Sequence, residues 1–455
     1  MRKYVIAALG GSVAGALLAT QFAGPLLADE AKKPENSVYQ QLDLFGSIFE
    51  RIRAQYVEPV NSQKLIEAAI NGMLSSLDPH SSYMDPKQWA DMQVRTKGEF
   101  GGLGIEVTQD QGFVKVVSPI DGTPAAKAGV KPGDYITKVD GDSLLGMTLD
   151  QAVDKMRGPV GSEITITIVR KGEKEPFEVK LTRDTIKVAS ANGRLVGHTA
   201  VLRLNQFNDQ TYDDMMAGLK KAEKDAGGAD KINGVVLDLR NNPGGLLTQA
   251  IKVSDAFLDK GEIVSTRGRL PQDGERFNAT SGDVIDGKPM VVLINGGSAS
   301  ASEIVTGALK DHHRAIVVGT KSFGKGSVQT IIPLKGDGAM RLTTARYYTP
   351  SGRSIQALGI QPDIVVPQPP TPTKADDSKA KQPDQTFEAD LPGILKNDAI
   401  TEQEKKQLSA EAKAADEEAK LRESDFQLAY AIDLLKGLTV IGKDDTGVTP
   451  PAKSK

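Results

Sequence analysis

The chain has 455 residues, a formal net charge of −3 and no cysteine. The near-neutral balance argues against nucleic acid as the main partner, and the lack of cysteine excludes disulfides and thiolate metal sites. With 39% apolar residues and about 150 residues per domain, two to four domains with sizeable cores are expected.

Arg2 and Lys3 precede an uncharged Ala/Gly/Leu-rich run from Tyr4 to Ala28. A positive start followed by an apolar stretch is the layout of a secretory signal. The run also reaches the roughly 20 residues that span a bilayer. Two readings of residues 1–28 therefore stand, a cleaved signal peptide or a retained membrane anchor. Both place the remainder outside the cytoplasm, in the periplasm or an equivalent compartment.

Residues 36–95 read as a helical region. In Val38–Gln55, Leu42, Phe45, Ile48, Phe49 and Ile52 recur at three and four, the spacing of one helix face. A second helix starts at Ser62 with Leu65, Ile66, Ala69, Ile70, Met73 and Leu74 turned inward. His80, in LDPHSSYM, reads as a structural turn residue. Asp85–Met92 forms a short helix.

Residues 97–185 form a self-contained unit of alternating strands with short helices at Ala125 and at Leu149–Met156. The string AAKAGVKPGDYITKVDG resembles a PDZ domain in the circularly permuted order of bacterial proteases. Such a domain binds a peptide C-terminus by strand addition, and loop N–H groups hold the terminal carboxylate. Here that loop would be Gly102, Leu103, Gly104 and Ile105. The bland alternative is that these glycines only make a tight turn.

From residue 186 to 366 strands alternate with helices, which argues a mostly parallel sheet with its site at the strands' C-terminal ends. Strands are expected at Ala200–Leu204, Val235–Leu239, Val291–Ile294 and Ala315–Val318. Helices are expected at Thr211–Glu223, Leu246–Leu258 and Glu303–Leu309. Residues 367–400 are a Pro/Lys-rich linker, 401–440 a charged helical segment, and 441–455 a disordered tail, with order expected to fade from Gly437.

The sharpest local signal is VVLINGGSASASEI. An apolar strand breaks at Gly296–Gly297, three serines follow, and a helix begins. A strand-to-helix turn exposes a side chain and aims backbone N–H groups at one point, the physics of a nucleophile turn. A serine hydroxyl needs a base within hydrogen-bond reach. His312 and His313 lie about three helical turns from Ser300, roughly 15 Å by helix rise. Lys325, in SFGKGSV, has no acid nearby in sequence. Burial there would favour the neutral amine, although a lysine in a glycine loop also reads as a solvated turn. GTKSFGKG approaches a nucleotide-binding loop, but Gly326 stands where the magnesium-holding hydroxyl belongs.

Taken with DLRNNPGG and TPSGRSIQ, these motifs resemble the carboxyl-terminal processing protease family over roughly residues 44–361. The resemblance implies a multidomain α/β and α+β chain: helical N-terminal region, permuted PDZ domain, crotonase-like and ClpP-like α/β protease core, and C-terminal helical extension. It implies a serine endopeptidase that recognises protein C-termini and needs no cofactor or metal. Ser300 would be the nucleophile, Lys325 the base and Gln329 its assistant. The oxyanion hole would use the N–H of Ala301 and that of Gly244 or Gly245. Arg157, in MRGPVG, would take part in regulation by the PDZ domain. Asp238, Arg240 and Glu303 read as structural, Glu303 as a charge at a helix N-terminus. Protein or peptide substrates, an adaptor protein and a homodimer are the implied partners. A catalytically silent PDZ scaffold and a Ser-His-Asp protease are the alternatives.

Overall fold

The computed structural model describes residues 37–336, 338–368 and 417–443, with helical positions 406, 409 and 413. The signal or anchor segment, most of the linker and residues 444–455 lie outside the described residues. Two compact units divide the chain, residues 1–77 and 78–455.

The first unit contributes helices α1 (Val38–Gln55) and α2 (Ser62–Ser75). A reciprocal capping box of Ser37 and Gln40 starts α1. Its apolar stripe is present, and Leu42, Phe45 and Ile48 are exposed among the described residues. On the expected inward face of α2, Leu74 is buried, Leu65, Ala69 and Ile70 are half-buried, and Ile66 and Met73 are exposed.

In the second unit, strand β1 (Ser82–Met84) and helix α3 (Pro86–Lys97) lead into the PDZ-like unit. Asp85 caps α3, Pro86 takes its first turn, and Gly98, at φ +71°, ends it. Strand β2 (Glu99–Gly102) pairs with β9 (Asp184–Lys187), so a two-stranded ribbon closes the base of the inserted unit. Between them lie β3 (Ile105–Asp110), β4 (Phe113–Pro119), α4 (Pro124–Lys127), β5 (Tyr135–Val139), β6 (Asp142–Ser143), α5 (Leu149–Met156), β7 (Glu163–Val169) and β8 (Phe177–Thr182). Their main sheet runs β3-β4-β5-β7-β8, leaving β3 as an edge. Ile136, Ile164, Ile166 and Ile168 fill its core from alternate positions.

The larger domain is built on a six-stranded sheet. In order it comprises β10 (Ala191–Val196), β11 (Thr199–Leu204), β12 (Gly234–Asp238), β15 (Met290–Ile294), β16 (Ile316–Gly319) and β19 (Ile364–Val365). Only β10 runs antiparallel to its neighbour. One face packs on α6 (Thr211–Ala226), α7 (Leu247–Asp255) and α8 (Ala301–Asp311). Onto the other face packs α9 (Phe426–Lys443), through Leu428, Ala431, Ile432 and Leu435. The helix continues through Lys443, past Gly437, from which order was expected to fade. Runs at Ile331–Pro333 and Met340–Ala345 read as strands, and they fall in a second, antiparallel sheet. It joins β1, β13 (Glu262–Arg267), β14 (Arg276–Asn278), β17 (Ser327–Leu334) and β18 (Gly338–Tyr348).

Strand β10 and helix α6 touch backbone to backbone. A Cβ on Gly193 would lie 2.3 Å from the Gly218 carbonyl. Gly193→Ala should therefore destabilise the fold by about 1–3 kcal/mol through overpacking, measured as a lowered midpoint in chemical denaturation with an unchanged slope.

Candidate active site

Three loops leave the C-terminal ends of adjacent parallel strands and meet, as open α/β sheets arrange their sites. They are the turn 239–246 after β12, the turn 295–300 after β15, and the loop 320–326 after β16.

Strand β15 is buried along its whole length. The chain then turns, and Ser300 sits at φ 54°, ψ −111°, a backbone conformation that side chains with a Cβ rarely adopt. Such strain persists only where the surroundings over-determine it, and here they do. The Asn242 carbonyl accepts from Ala299 N at 3.0 Å and from Ser302 Oγ at 2.9 Å. Ser298 Oγ donates to the Leu239 carbonyl at 2.8 Å and accepts from Asn295 N. Ser298 and Ser302 are fully buried and committed as donors, which leaves Ser300. Its half-buried hydroxyl joins no hydrogen bond among the described residues.

Gly244 lies against this elbow. A Cβ there would be 2.8 Å from Ser300 Cβ and 2.9 Å from Ala301 N. The Gly244 N–H, however, donates to Asn242 Oδ1 at 2.9 Å. Gly245 is exposed and forms an isolated bridge with Phe207, so its own N–H points away from that strand. Neither Gly245 N nor Ala301 N, the first amide of α8, donates to any described residue.

The residue that joins the loops is Glu303. Its carboxylate is fully buried. Oε1 accepts from Ser322 Oγ at 2.6 Å and Gly324 N at 2.7 Å; Oε2 accepts from Ser300 N and from Lys325 N, each at 2.8 Å. One oxygen thus holds the amides of Ser300 and Lys325 no more than twice 2.8 Å apart. Glu303 is more than the helix-end charge read from sequence.

Lys325 is half-buried, and its ammonium has no ion pair or hydrogen-bond partner among the described residues. Burial pushes its pKa below the ordinary lysine value of 10.5, and the nearby Arg341 pushes the same way; Asp78 and Glu303 oppose them. The expectation of an acid-free pocket is therefore corrected: two carboxylates are near, and desolvation with Arg341 outweighs them. His80 also lies within electrostatic reach of Lys325. Burial first, then the lysine charge, lowers its pKa.

Gln329 is beside the site without touching its lysine. Its amide donates to Ser327 Oγ at 2.8 Å and Thr343 Oγ1 at 3.2 Å. Thr343 in turn donates to Asp78 Oδ1 at 3.1 Å. Burial works to raise the Asp78 pKa, but donors from Ser81, His80 and Thr343 hold it below the usual value. Of the remaining histidines, His312 Nε2 is 2.7 Å from the Glu262 carbonyl and His198 Nδ1 is 3.2 Å from that of Lys231, both away from Ser300. Among the described residues no cluster of His, Asp and Glu could hold a metal ion.

The second candidate surface is a groove of about 410 Å³ between β3 and α5, lined by Leu103, Gly104, Ile105, Val153, Met156 and Arg157. Edge strand β3 offers its free side for an added strand. The N–H groups of Leu103 and Gly104 donate to nothing among the described residues. Gly102 belongs to β2, paired with β9. Arg157 places its guanidinium 4.5 Å from the Phe100 ring centroid, and its Nε is buried without a partner.

Residues 198–366 match the family model for peptidase family S41, residues 115–170 that for a PDZ domain, and residues 10–88 that for the activating protease CtpB N-terminal domain. The carboxy-terminal-processing protease of Bartonella bacilliformis is 56% identical over 89% of this chain and 90% of its own. A probable CtpA-like serine protease of Staphylococcus aureus is 38% identical over 72% of this chain and 65% of its own. Among solved structures, the photosystem II D1 C-terminal processing protease is 29% identical, with a TM-score of 0.41 over 71% of this chain and 92% of its own.

Glu303→Gln would place an amide donor among four donors. It should cost about 1–3 kcal/mol of stability and free the Ser300 and Lys325 amides from their shared oxygen. A denaturation midpoint equal to that of the parent protein would contradict this account of the site.

Proposed function

We propose that this chain, which belongs to the carboxy-terminal-processing proteases of peptidase family S41, cleaves protein substrates near their C-termini through an acyl-enzyme on Ser300, with Lys325 as general base. As a member of that family it is a serine-type peptidase carrying a PDZ domain. The observation that carries the Ser-Lys assignment is the Glu303 oxygen that accepts from both Ser300 N and Lys325 N.

In the first half-reaction, neutral Lys325 Nζ takes the proton from Ser300 Oγ as Oγ bonds to the substrate carbonyl carbon. The oxyanion is stabilised by Ala301 N–H and Gly245 N–H, the two donors left unspent at the elbow. We assign Gly245 rather than Gly244 because the Gly244 N–H is already held by Asn242. The lysine ammonium then gives its proton to the leaving amine as the C–N bond breaks. In the second half-reaction Lys325 deprotonates a water that attacks the ester, and the proton returns to Ser300 Oγ. Gln329 acts through Thr343, which donates to Asp78, a carboxylate whose charge acts on Lys325. The substrate's terminal carboxylate is held by the Leu103 and Gly104 amides while its last residues add a strand to β3, and Arg157 faces that groove. Export is read from Arg2, Lys3 and the uncharged run to Ala28.

Ser300→Ala and Lys325→Ala should each reduce peptide hydrolysis by about 10³-fold or more. Retention of parental activity by both would rule out the dyad and leave a silent scaffold or another nucleophile.

The base works only when neutral, so kcat/KM should rise with pH through the Lys325 pKa, which lies below 10.5. Removing a neighbouring cation raises a lysine pKa, and removing a neighbouring anion lowers it. Arg341→Gln should thus move the rising limb to higher pH and Asp78→Asn to lower pH. A limb unmoved by both would show that another group titrates.

A further inference from the structure

The C-terminal helix brings a carboxylate to the residue that anchors the oxyanion turn. We infer that Asp425, assisted by Gln427, is a positioning residue for catalysis: by completing the shell of Arg240 it fixes the turn Asn241–Gly245 against Ser300. The inference rests on the proposed use of that turn as part of the oxyanion hole.

Arg240 follows strand β12 by two residues and is 7% exposed. A guanidinium has five N–H donors, and five hydrogen bonds occupy it. Nε donates to Asp238 Oδ1 at 2.9 Å and Nη2 to Asp238 Oδ2 at 2.8 Å. Nη2 also donates to Asp425 Oδ2 at 2.7 Å, and Nη1 to Asp425 Oδ1 at 2.7 Å and Gln427 Oε1 at 3.1 Å. Three of the five acceptors therefore come from a segment 185 or more residues away in sequence. Bidentate arginine–carboxylate pairs fix orientation as well as position.

Charge makes the long-range partner necessary. Asp238 serves two cations, because Arg203 Nη1 also donates to its Oδ2 at 2.8 Å. With Asp425 in place, two arginines face two carboxylates. Without it, one carboxylate would face both, and one Nη1 and one Nη2 donor of Arg240 would be buried without an acceptor. The segment that delivers Asp425 is itself tied down. Gln427 Nε2 donates to the Val366 carbonyl at 2.6 Å, and Asp425 Oδ1 accepts from Leu428 N at 3.1 Å.

The turn leaves directly from Arg240. Asn241 stands at φ +57° and exchanges hydrogen bonds with Asn295, its N–H donating to Asn295 Oδ1 at 2.9 Å and its Oδ1 accepting from Asn295 Nδ2 at 2.9 Å. The Asn242 carbonyl holds Ala299 and Ser302 on either side of the serine. A rotation at Arg240 would move both contacts and the Gly245 N–H.

The test uses the full chain, a fluorogenic peptide ending in a free carboxylate, and fluorescence anisotropy of a labelled, uncleavable version of that peptide. Asp425→Asn keeps the shape and removes the charge. It should lower kcat about 10–100-fold at temperatures where the protein is fully folded, with KM and peptide affinity within twofold of the parent. Asp425→Glu should recover most of kcat. A role in folding alone would lower Tm and leave kcat of the folded enzyme unchanged, and that result would overturn the inference. If Asp425→Asn does not fold, Gln427→Met carries the test. It leaves the ion pair and removes the Oε1 acceptor and the Nε2 donor to Val366, so kcat should fall about 3–10-fold; an unchanged kcat would again overturn it. Should kcat fall in these variants while Ser300→Ala remains active, the failure lies in the Ser-Lys assignment and not in the coupling.

Discussion

A single buried carboxylate organises the site. Glu303 is removed from water, which costs several kcal/mol for an ion unless its lone pairs are filled. Four donors fill them, and the carboxylate also sits in the first turn of a helix, where the dipole favours an anion. Those donors come from three places in the chain: the serine elbow, Ser322, and the amides of Gly324 and Lys325. The cost of burial is thus offset only when the loops after β15 and β16 are both in register. Geometry between Ser300 and Lys325 follows from an electrostatic requirement that neither residue's side chain has to meet.

That solution carries a tension. A negative charge beside a lysine favours its protonated form, the wrong form for a base. The site answers with desolvation of the lysine and with Arg341, and these outweigh Glu303 and Asp78. Both carboxylates are committed elsewhere, Glu303 to backbone amides and Asp78 to Ser81, His80 and Thr343. Neither has an oxygen bonded to the ammonium. The distinction between a carboxylate that is near and one that pairs is what lets an acid organise the site and still leave the lysine deprotonable.

Much of this could be read from the sequence, and the rest fails for definable reasons. Helix α1 and strands β5 and β15 were legible from periodicity because their apolar spacing is local. Ser300 and Lys325 are singled out by motifs. Glu303 reads as a helix-end charge, which it is, but its other partners, 19 to 22 residues away, are not visible in sequence. The same blindness made Lys325 look free of acids. Gln329 is expected on the lysine, as an uncharged acceptor and by resemblance, whereas a register shift between Val328 and Gln329 opposite β18 sets it against Thr343. The second sheet is harder to read because β18 pairs with β1 and β13, which lie far from it in sequence.

The two faces of the parallel sheet explain why the C-terminal segment belongs to the domain. Strands GVVLD and MVVLI are buried at every position. A parallel strand that reads as a continuous apolar run needs cover on both faces. Val235, Leu237, Val292 and Ile294 turn to the side carrying α6, α7 and α8. Val236, Val291 and Leu293 turn to the other side, where nothing between residues 186 and 366 supplies a helix. That apolar surface calls for a lid from elsewhere in the chain, and α9 provides it with Leu428, Ala431, Ile432 and Leu435. A lid held by apolar packing alone would have latitude to slide, since the hydrophobic effect is non-directional. The bidentate pairing of Asp425 with Arg240 removes that latitude at the end of the helix nearest the serine elbow. Burial thus fixes that the helix docks, and the ion pair fixes where.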